Sequence, residues 1–385
     1  MSALGDLVER ARGDAGGARD LSAEAARMVG ICNSCRYCEG YCAVFPSIER
    51  RLAFDEPTLD YLANLCHNCG ACLYACQYAP PHQFAVNIPR VLAEVRSESY
   101  QRHAWPAAFG ALYRRQGATF AVALAASLAF VVLLIMAISG ADALLQAPRP
   151  AQSFYGVLPH EAMVALFGAA FGFAIVALAF SARKFHASLG AGALAPLRGA
   201  ASAATLRNLE GGGEGCYERS GLDHRPSGAR RVFHHLTFYG FLACFASTSL
   251  ATVQHYAMHW TAPYPVLSWV VFLGTVGGIG LVVGPVGLLW GRSRRDPSLM
   301  DAAQAPLDRA FVANLLLVGI TGLLLLAVRD TAAMPVTLAI HLGCVLAFFV
   351  TMPYGKFVHG LYRYLALSRY ARESRDHEAQ GSGAA

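Results

Sequence analysis

Eleven cysteines and thirteen histidines are the residues of this 385-residue chain best suited to redox or metal chemistry. Eight of the cysteines fall in two short runs, CNSCRYCEGYC (Cys32, Cys35, Cys38, Cys42) and CHNCGACLYAC (Cys66, Cys69, Cys72, Cys76). Each cysteine of the second run lies 34 residues after its counterpart, and Pro46 maps onto Pro80 in the same register. The pattern is C-x2-C-x2-C-x3-C twice, the spacing of proteins with two [4Fe–4S] clusters, in which three close thiolates take three corners of a cubane and the fourth ligand comes from the other run. The expected sets are therefore Cys32, Cys35, Cys38 and Cys76 for one cluster, and Cys66, Cys69, Cys72 and Cys42 for the other. Structural zinc would pair two simpler knuckles and leave the third cysteine of each triplet without a use. Proline follows the fourth cysteine after three intervening residues rather than directly, a departure from the ferredoxin run. Cys244 and Cys344 read as small packing residues in apolar helices, and Cys216 lies in a glycine-rich loop, EGGGEGC, with no assigned role.

The elements that must position these groups are of two kinds. Hydrophobic residues make up 55% of the chain and charged ones only 15%, too apolar a balance for an ordinary soluble domain. Six stretches free of Asp, Glu, Lys and Arg, near 118–139, 162–182, 232–256, 265–291, 310–328 and 331–355, are long enough to cross a bilayer. The expected architecture is mainly α: a two-cluster, ferredoxin-like domain over 1–115, a six-helix transmembrane cytochrome b-like bundle over 116–364, and a cytoplasmic tail over 365–385. The first twenty residues mix acids and bases without an apolar core, so no signal peptide is expected. Lys and Arg crowd the 183–231 and 292–309 loops and the tail, with only Arg149 and Arg329 opposite. That bias places both termini, and the cysteines, in the cytoplasm, where reduced thiols favour metal ligation over disulfides. The net charge of +6 resides in these loops and carries no nucleic-acid reading.

Histidines cluster at the ends of the spans. Span three opens with His234 and His235 and closes near His255; span six opens near His341 and closes near His359. At about 100° per residue the 18 residues from His341 to His359 make five whole turns, which puts both on one face about 27 Å apart. Depth pairs His359 with His234 or His235 at the cytoplasmic end and His341 with His255 at the outer end. Helical phase relative to His255 favours His234 over His235. Two such pairs suit one or two b-type haems with bis-histidine ligation. Arg230, Arg231 and Lys356 flank the inner pair, either as partners for haem propionates or simply as positive-inside residues. His103, His160, His186 and His259 are left without a role. In span four Gly274/Gly278 and Gly280/Gly284 stand at small-xxx-small spacing, a close-packing signal. There is no flavin or nicotinamide fingerprint, and no acid–base constellation for an organic substrate.

The stretches ICNSCRYCEGYCAVFPSIERR, YLANLCHNCGACLYACQYAPPHQFAVN, RRVFHHLTFYGFL and MPYGKFVHGLYRY resemble the tricarballylate/citrate utilisation protein B family (TcuB, also called CitB) over about residues 25–370. The resemblance implies a membrane electron-transfer protein with iron–sulfur clusters and haem b. It would reoxidise a partner FAD-dependent dehydrogenase of the TcuA type, which acts on tricarballylate, and feed the quinone pool of the inner membrane. The haem-bearing half is also broadly similar in arrangement to the cytochrome b subunit of respiratory nitrate reductases. On this reading the chain is the electron-transfer subunit of an oxidoreductase and has no substrate dehydrogenase site of its own. The alternative is a membrane-bound iron–sulfur redox sensor or anchor subunit without quinone reductase activity. A transporter with an appended ferredoxin domain ranks last, since none of the six runs carries an Asp or Glu.

Overall fold

The computed structural model describes residues 20–145, 154–190, 195–206, 209, 216–220 and 223–382; Arg149 and Arg207, both counted in the charge bias, lie outside them. The cysteine domain is built from five helices: α1 (Leu21–Cys35), α2 (Val44–Glu49), α3 (Glu56–Leu65), α4 (Ala71–Tyr74) and α5 (Ile88–His103). Local signals set their starts. Asp20, Asp55 and Asn87 each accept backbone N–H bonds as N-caps, and a proline sits in the first turn of α3 and of α5. Leu59, Leu62, Leu65, Val91, Leu92 and Val95 are buried where α3 packs on α5.

A 3-10 segment (Ala107–Arg115) leads into α6 (Gln116–Ser139), followed by the short α7 (Asp142–Leu145), then α8 (His160–Ser188) and α9 (Pro196–Thr205). An antiparallel hairpin of β1 (Cys216–Ser220) and β2 (Asp223–Ser227) precedes α10 (Ala229–Met258), α11 (Trp269–Ser293), α12 (Ala305–Val328) and α13 (Met334–Thr351). Among the described residues six helices are long and apolar enough to cross a membrane: α6, α8, α10, α11, α12 and α13 with its 3-10 extension to Tyr354. Their outer surfaces expose Leu133, Phe173, Val253, Phe272 and Val283, which suits lipid rather than water.

Span four is the closest-packed element. A Cβ at Gly280 would lie 2.8 Å from the carbonyl oxygen of Leu236, and one at Gly284 2.4 Å from Thr237 Oγ1. Gly277 faces Cys244, so span three is met by Gly277, Gly280, Gly284 and Gly287 along one stripe. Gly274 likewise meets Ser247 of span three, whereas Gly278 turns to Leu323 of span five.

Span six is not one helix from His341 to His359. α13 stops at Thr351, Met352–Tyr354 form a 3-10 turn, Gly355 is extended, and a new helix, α14, runs Val358–Ser382. Pro353 and Gly355 stand at the break, so His341 and His359 lie on different helices and the shared-face geometry expected of a continuous helix does not apply. The tail is also no free appendage. α14 packs on α9, α3 and α8. Glu373 is bound by Arg51 (2.5 Å) and Arg369 (2.7 Å) and accepts from Tyr61 (3.2 Å). Tyr362 stacks on Phe185 of α8 with centroids 4.6 Å apart. The 296–301 loop clasps the cysteine domain as well: Tyr74 donates to Asp296, Asn87 to the carbonyl of Ser298 (2.9 Å), and Asn68 to that of Leu299 (2.8 Å).

Candidate cofactor sites

The cysteines occupy two pockets. Cys32 and Cys35 lie on the last turn of α1, three residues apart and on one face. Arg36 then takes the left-handed conformation (φ 57°), which ends the helix and turns the chain toward Cys38. Cys32, Cys35, Cys38, Cys72 and Cys76 line a cavity of about 300 Å³. Cys42, Cys66, Cys69 and Cys72 line a second, tighter one, so Cys72 stands between the two. Cys76 lies with the first three cysteines of the first run, and Cys42 with the first three of the second. Here Cys66 caps α3, Asn68 (φ 55°) and Gly70 (φ 94°) are both left-handed, and Cys72 opens into α4.

Burial pushes the Cys32 thiol up to about 12, with Cys76, Cys38 and Cys35 adding to the effect. Burial followed by Cys76 and Cys35 lifts Cys38 to about 11. Cys42 and Cys72 shift the same way, chiefly by burial and then by the crowding of neighbouring thiols. Such crowding is unfavourable for thiolates in a bare protein and becomes favourable around cationic iron. The donor set fits [4Fe–4S] chemistry.

A third cavity, about 730 Å³, lies directly beneath the second cysteine run. His67, Asn68 and Cys69 line its upper wall, His234 and His359 its side, and Phe241, Phe311 and Leu315 its floor. The rings of His234 and His359 have centroids 6.1 Å apart and planes at 74°. Two imidazoles sharing one metal, with metal–nitrogen bonds of about 2 Å and ring nitrogens about 1.1 Å from each centroid, would sit roughly 6 Å apart. His359 Nδ1 lies 2.5 Å from the carbonyl oxygen of Lys356. As a donor there it leaves Nε2 for a metal, the usual outer-shell arrangement for a ligating histidine. His234 Nδ1 is buried without a hydrogen-bond partner. The pair and the cavity fit a bis-histidine haem.

The other histidines are placed differently. His235 turns away from the cavity and stacks on Tyr239 at 5.6 Å. His255 stacks on His160 at 3.8 Å, beside Tyr155, and the structure does not bring it onto His341. His341 instead lies with Nδ1 3.0 Å from Thr321 Oγ1, over Gly322. Of the four paired histidines, the structure joins the inner two.

Sequence reasoning named Arg230 beside the histidines but gave Arg96, Arg295 and Arg363 no role at the site. Arg96 donates to the carbonyls of Cys66 (2.6 Å) and Ala63 (3.2 Å), and Arg363 to that of Cys66 (2.9 Å). Arg230 reaches the carbonyl of Asn68 at 3.3 Å, and Arg295 binds the same residue's carbonyl and side chain. Four guanidiniums thus hold the Cys66–Cys69 loop from α5, α10, the loop after α11, and α14. No local pattern marks Arg96 or Arg363, because their meeting depends on tertiary packing.

The family model described as Citrate utilization protein B matches residues 113–380, and that of its Fer4-like domain matches residues 25–102. The chain belongs to the citrate utilization protein B family. A curated relative, Citrate utilization protein B of Escherichia coli, is 51% identical over 357 residues, covering 92% of this chain and 93% of its own length. No solved structure matches. The Fer4-like match falls on both cysteine runs, so the N-terminal domain of this family member is of iron–sulfur type, consistent with electron transfer. The other match covers all six candidate spans and all but the last two residues of α14, so the candidate spans and the tail helix fall within one family unit.

Proposed function

We propose that this protein is a membrane electron-transfer subunit. It takes electrons from a partner FAD-dependent dehydrogenase of the TcuA type, acting on tricarballylate or a related tricarboxylate, and delivers them to the quinone pool. Electrons would pass through two [4Fe–4S] clusters and haem b, in the inner membrane with both termini cytoplasmic. The observation that carries this reading is the cavity whose wall includes Cys69 of the second cysteine set and both imidazoles of the His234–His359 pair.

When bound, the clusters and haem supply one-electron carriers between a two-electron flavin and a two-electron quinone. The chain's own residues set the route. The cavity lined by Cys32, Cys35, Cys38 and Cys76 is flanked by Tyr37, which is 67% exposed, and this is where a partner's electrons would enter. The Cys42, Cys66, Cys69 and Cys72 set lies between that surface and the histidine pair. Arg96 and Arg363 fix the Cys66 carbonyl, and the Phe241, Phe311 and Phe357 side chains keep water from the imidazoles.

The test is haem b per polypeptide on anaerobically purified protein, together with reduction of that haem by the reduced partner flavoprotein and reoxidation by a short-chain quinone. One haem per chain that cycles in both directions is expected. Intact clusters without haem, under conditions that preserve it, would overturn the reading in favour of a sensor or anchor.

A further inference from the structure

The cavity beneath the second cysteine run is strongly cationic. Its lining carries Arg96, Arg230, Arg292, Arg295, Lys356 and Arg363 against two carboxylates, Asp301 and Asp308. Asp308 is taken up by Arg292 (2.6 Å) and Lys356 (2.9 Å), and Asp301 accepts from Ser97 at 3.0 Å. Arg96 and Arg363 are left with neutral backbone carbonyls, which satisfy donors without cancelling charge. Arg96 is only 5% exposed, and its Nε, like that of Arg363, is buried with no hydrogen-bond partner. Two guanidiniums that line the cavity and have only backbone carbonyls as partners leave it with uncompensated positive charge, which an anion would balance. The opposite wall is apolar: Phe241 lies 5.6 Å from Phe348 and 5.8 Å from Phe357, with Phe311 6.4 Å from Phe348. The cavity therefore suits an amphiphile with carboxylates at one end.

We infer that Arg96 and Arg363 are the receptor for the carboxylates of that occupant, so that a haem held by His234 and His359 points its propionates at the Cys66–Cys69 loop and its apolar edge at the phenylalanine floor. The inference rests on the haem reading of the cavity and adds an orientation to it. It also replaces two residues that flank the pair in sequence. Arg231 donates to the carbonyl of Thr205 at 3.0 Å and does not line the cavity, and Lys356 is held by Asp308. Because Arg96 and Arg363 already hold the Cys66 carbonyl, propionate and cluster loop share the same guanidiniums. These arginines position both cofactors.

The experiment uses the full-length protein made in haem-deficient cells, with cluster content verified, and titrates it with iron protoporphyrin IX or with its dimethyl ester. The expected result is a six-coordinate low-spin spectrum with both, and affinity at least about tenfold lower for the ester, about 1.4 kcal/mol. In the Arg96→Gln/Arg363→Gln protein, haem affinity should fall to that of the ester while the low-spin spectrum and the ester affinity stay unchanged. Equal affinity of the wild-type protein for haem and ester overturns the carboxylate receptor and leaves the histidine pair standing. Discrimination that persists in the double variant overturns it equally. Absence of a low-spin complex with either compound overturns the haem reading itself, and this inference with it. Equal affinity of the wild-type protein for the two compounds overturns the inference even if the double variant fails to fold, and the single Arg96→Gln and Arg363→Gln proteins then assign the discrimination to its residue.

Discussion

At the scale of single residues, the imidazoles separate cleanly by environment. His234→Ala and His359→Ala should each abolish the low-spin haem spectrum, whereas His235→Ala, which removes a ring stacked on Tyr239, should leave it intact. Optical spectra of the three reduced variants check this. The cysteines carry a second expectation. Cys76→Ser should disturb the cluster of the Cys32 set and Cys42→Ser that of the Cys66 set, read as separate losses in low-temperature EPR of the reduced protein. That grouping is an expectation from spacing, because a cubane needs three close thiolates and one distant one. Depth along the spans paired His359 with His234 or His235, and helical phase relative to His255 favoured His234, while the shared face expected for His341 and His359 assumed a helix where the chain breaks. Arg96 and Arg363 were illegible, since an arginine's role is set by what packs against it.

At the scale of elements, two glycine positions carry the geometry. Gly284→Leu would place side-chain atoms where Thr237 already sits and force spans three and four apart. The expected cost is about 1–3 kcal/mol, with loss of haem because His234 belongs to the displaced helix. Thermal stability and haem content of the purified variant report both. Gly70→Ala meets two obstacles at once, a φ of 94° and Leu299 Cδ1 at 2.9 Å. It should cost on the order of 1–3 kcal/mol and release the cluster of the Cys66 set before the other, measured by iron loss under chelator. The six candidate spans were visible as charge-free runs, and their ends fall within a few residues of the helices. The break after Thr351 was hidden because the apolar run continues through Pro353 and Gly355. Helix α14 was hidden because a charged amphipathic tail looks like solvent-exposed chain until its partners are known.

At the scale of the whole molecule, cysteine domain and bundle are one structure joined by buried polar contacts. Within the cysteine domain, Asp60, buried in α3 beside Arg102 of α5 at 2.6 Å, makes the stability of the fold depend on pH. Burial pushes its carboxyl up to about 7, against the pull of Arg102. A folded-state value above the unfolded one, about 3.9, gives stability that is fully present below that lower value and is lost as pH rises through about 7. Buried His67, held well below its ordinary value, titrates in the opposite sense, so the informative quantity is a difference. Between pH 5 and pH 8 the wild-type protein should lose on the order of 2–4 kcal/mol more stability than Asp60→Asn. Denaturation midpoints of the two proteins at both pH values supply the comparison. Equal slopes would show that Asp60 ionises normally in the fold.

The break between α13 and α14 also fixes an order of manufacture. His234 belongs to the third of the six candidate spans, but His359 follows the last, on a helix that packs on α9, α8 and α3 of the cysteine domain, all of which precede it in the chain. A ribosome therefore leaves the imidazole pair incomplete until nearly the whole chain has emerged. A nascent or prematurely terminated chain can be fully inserted and still have only half of the pair to offer.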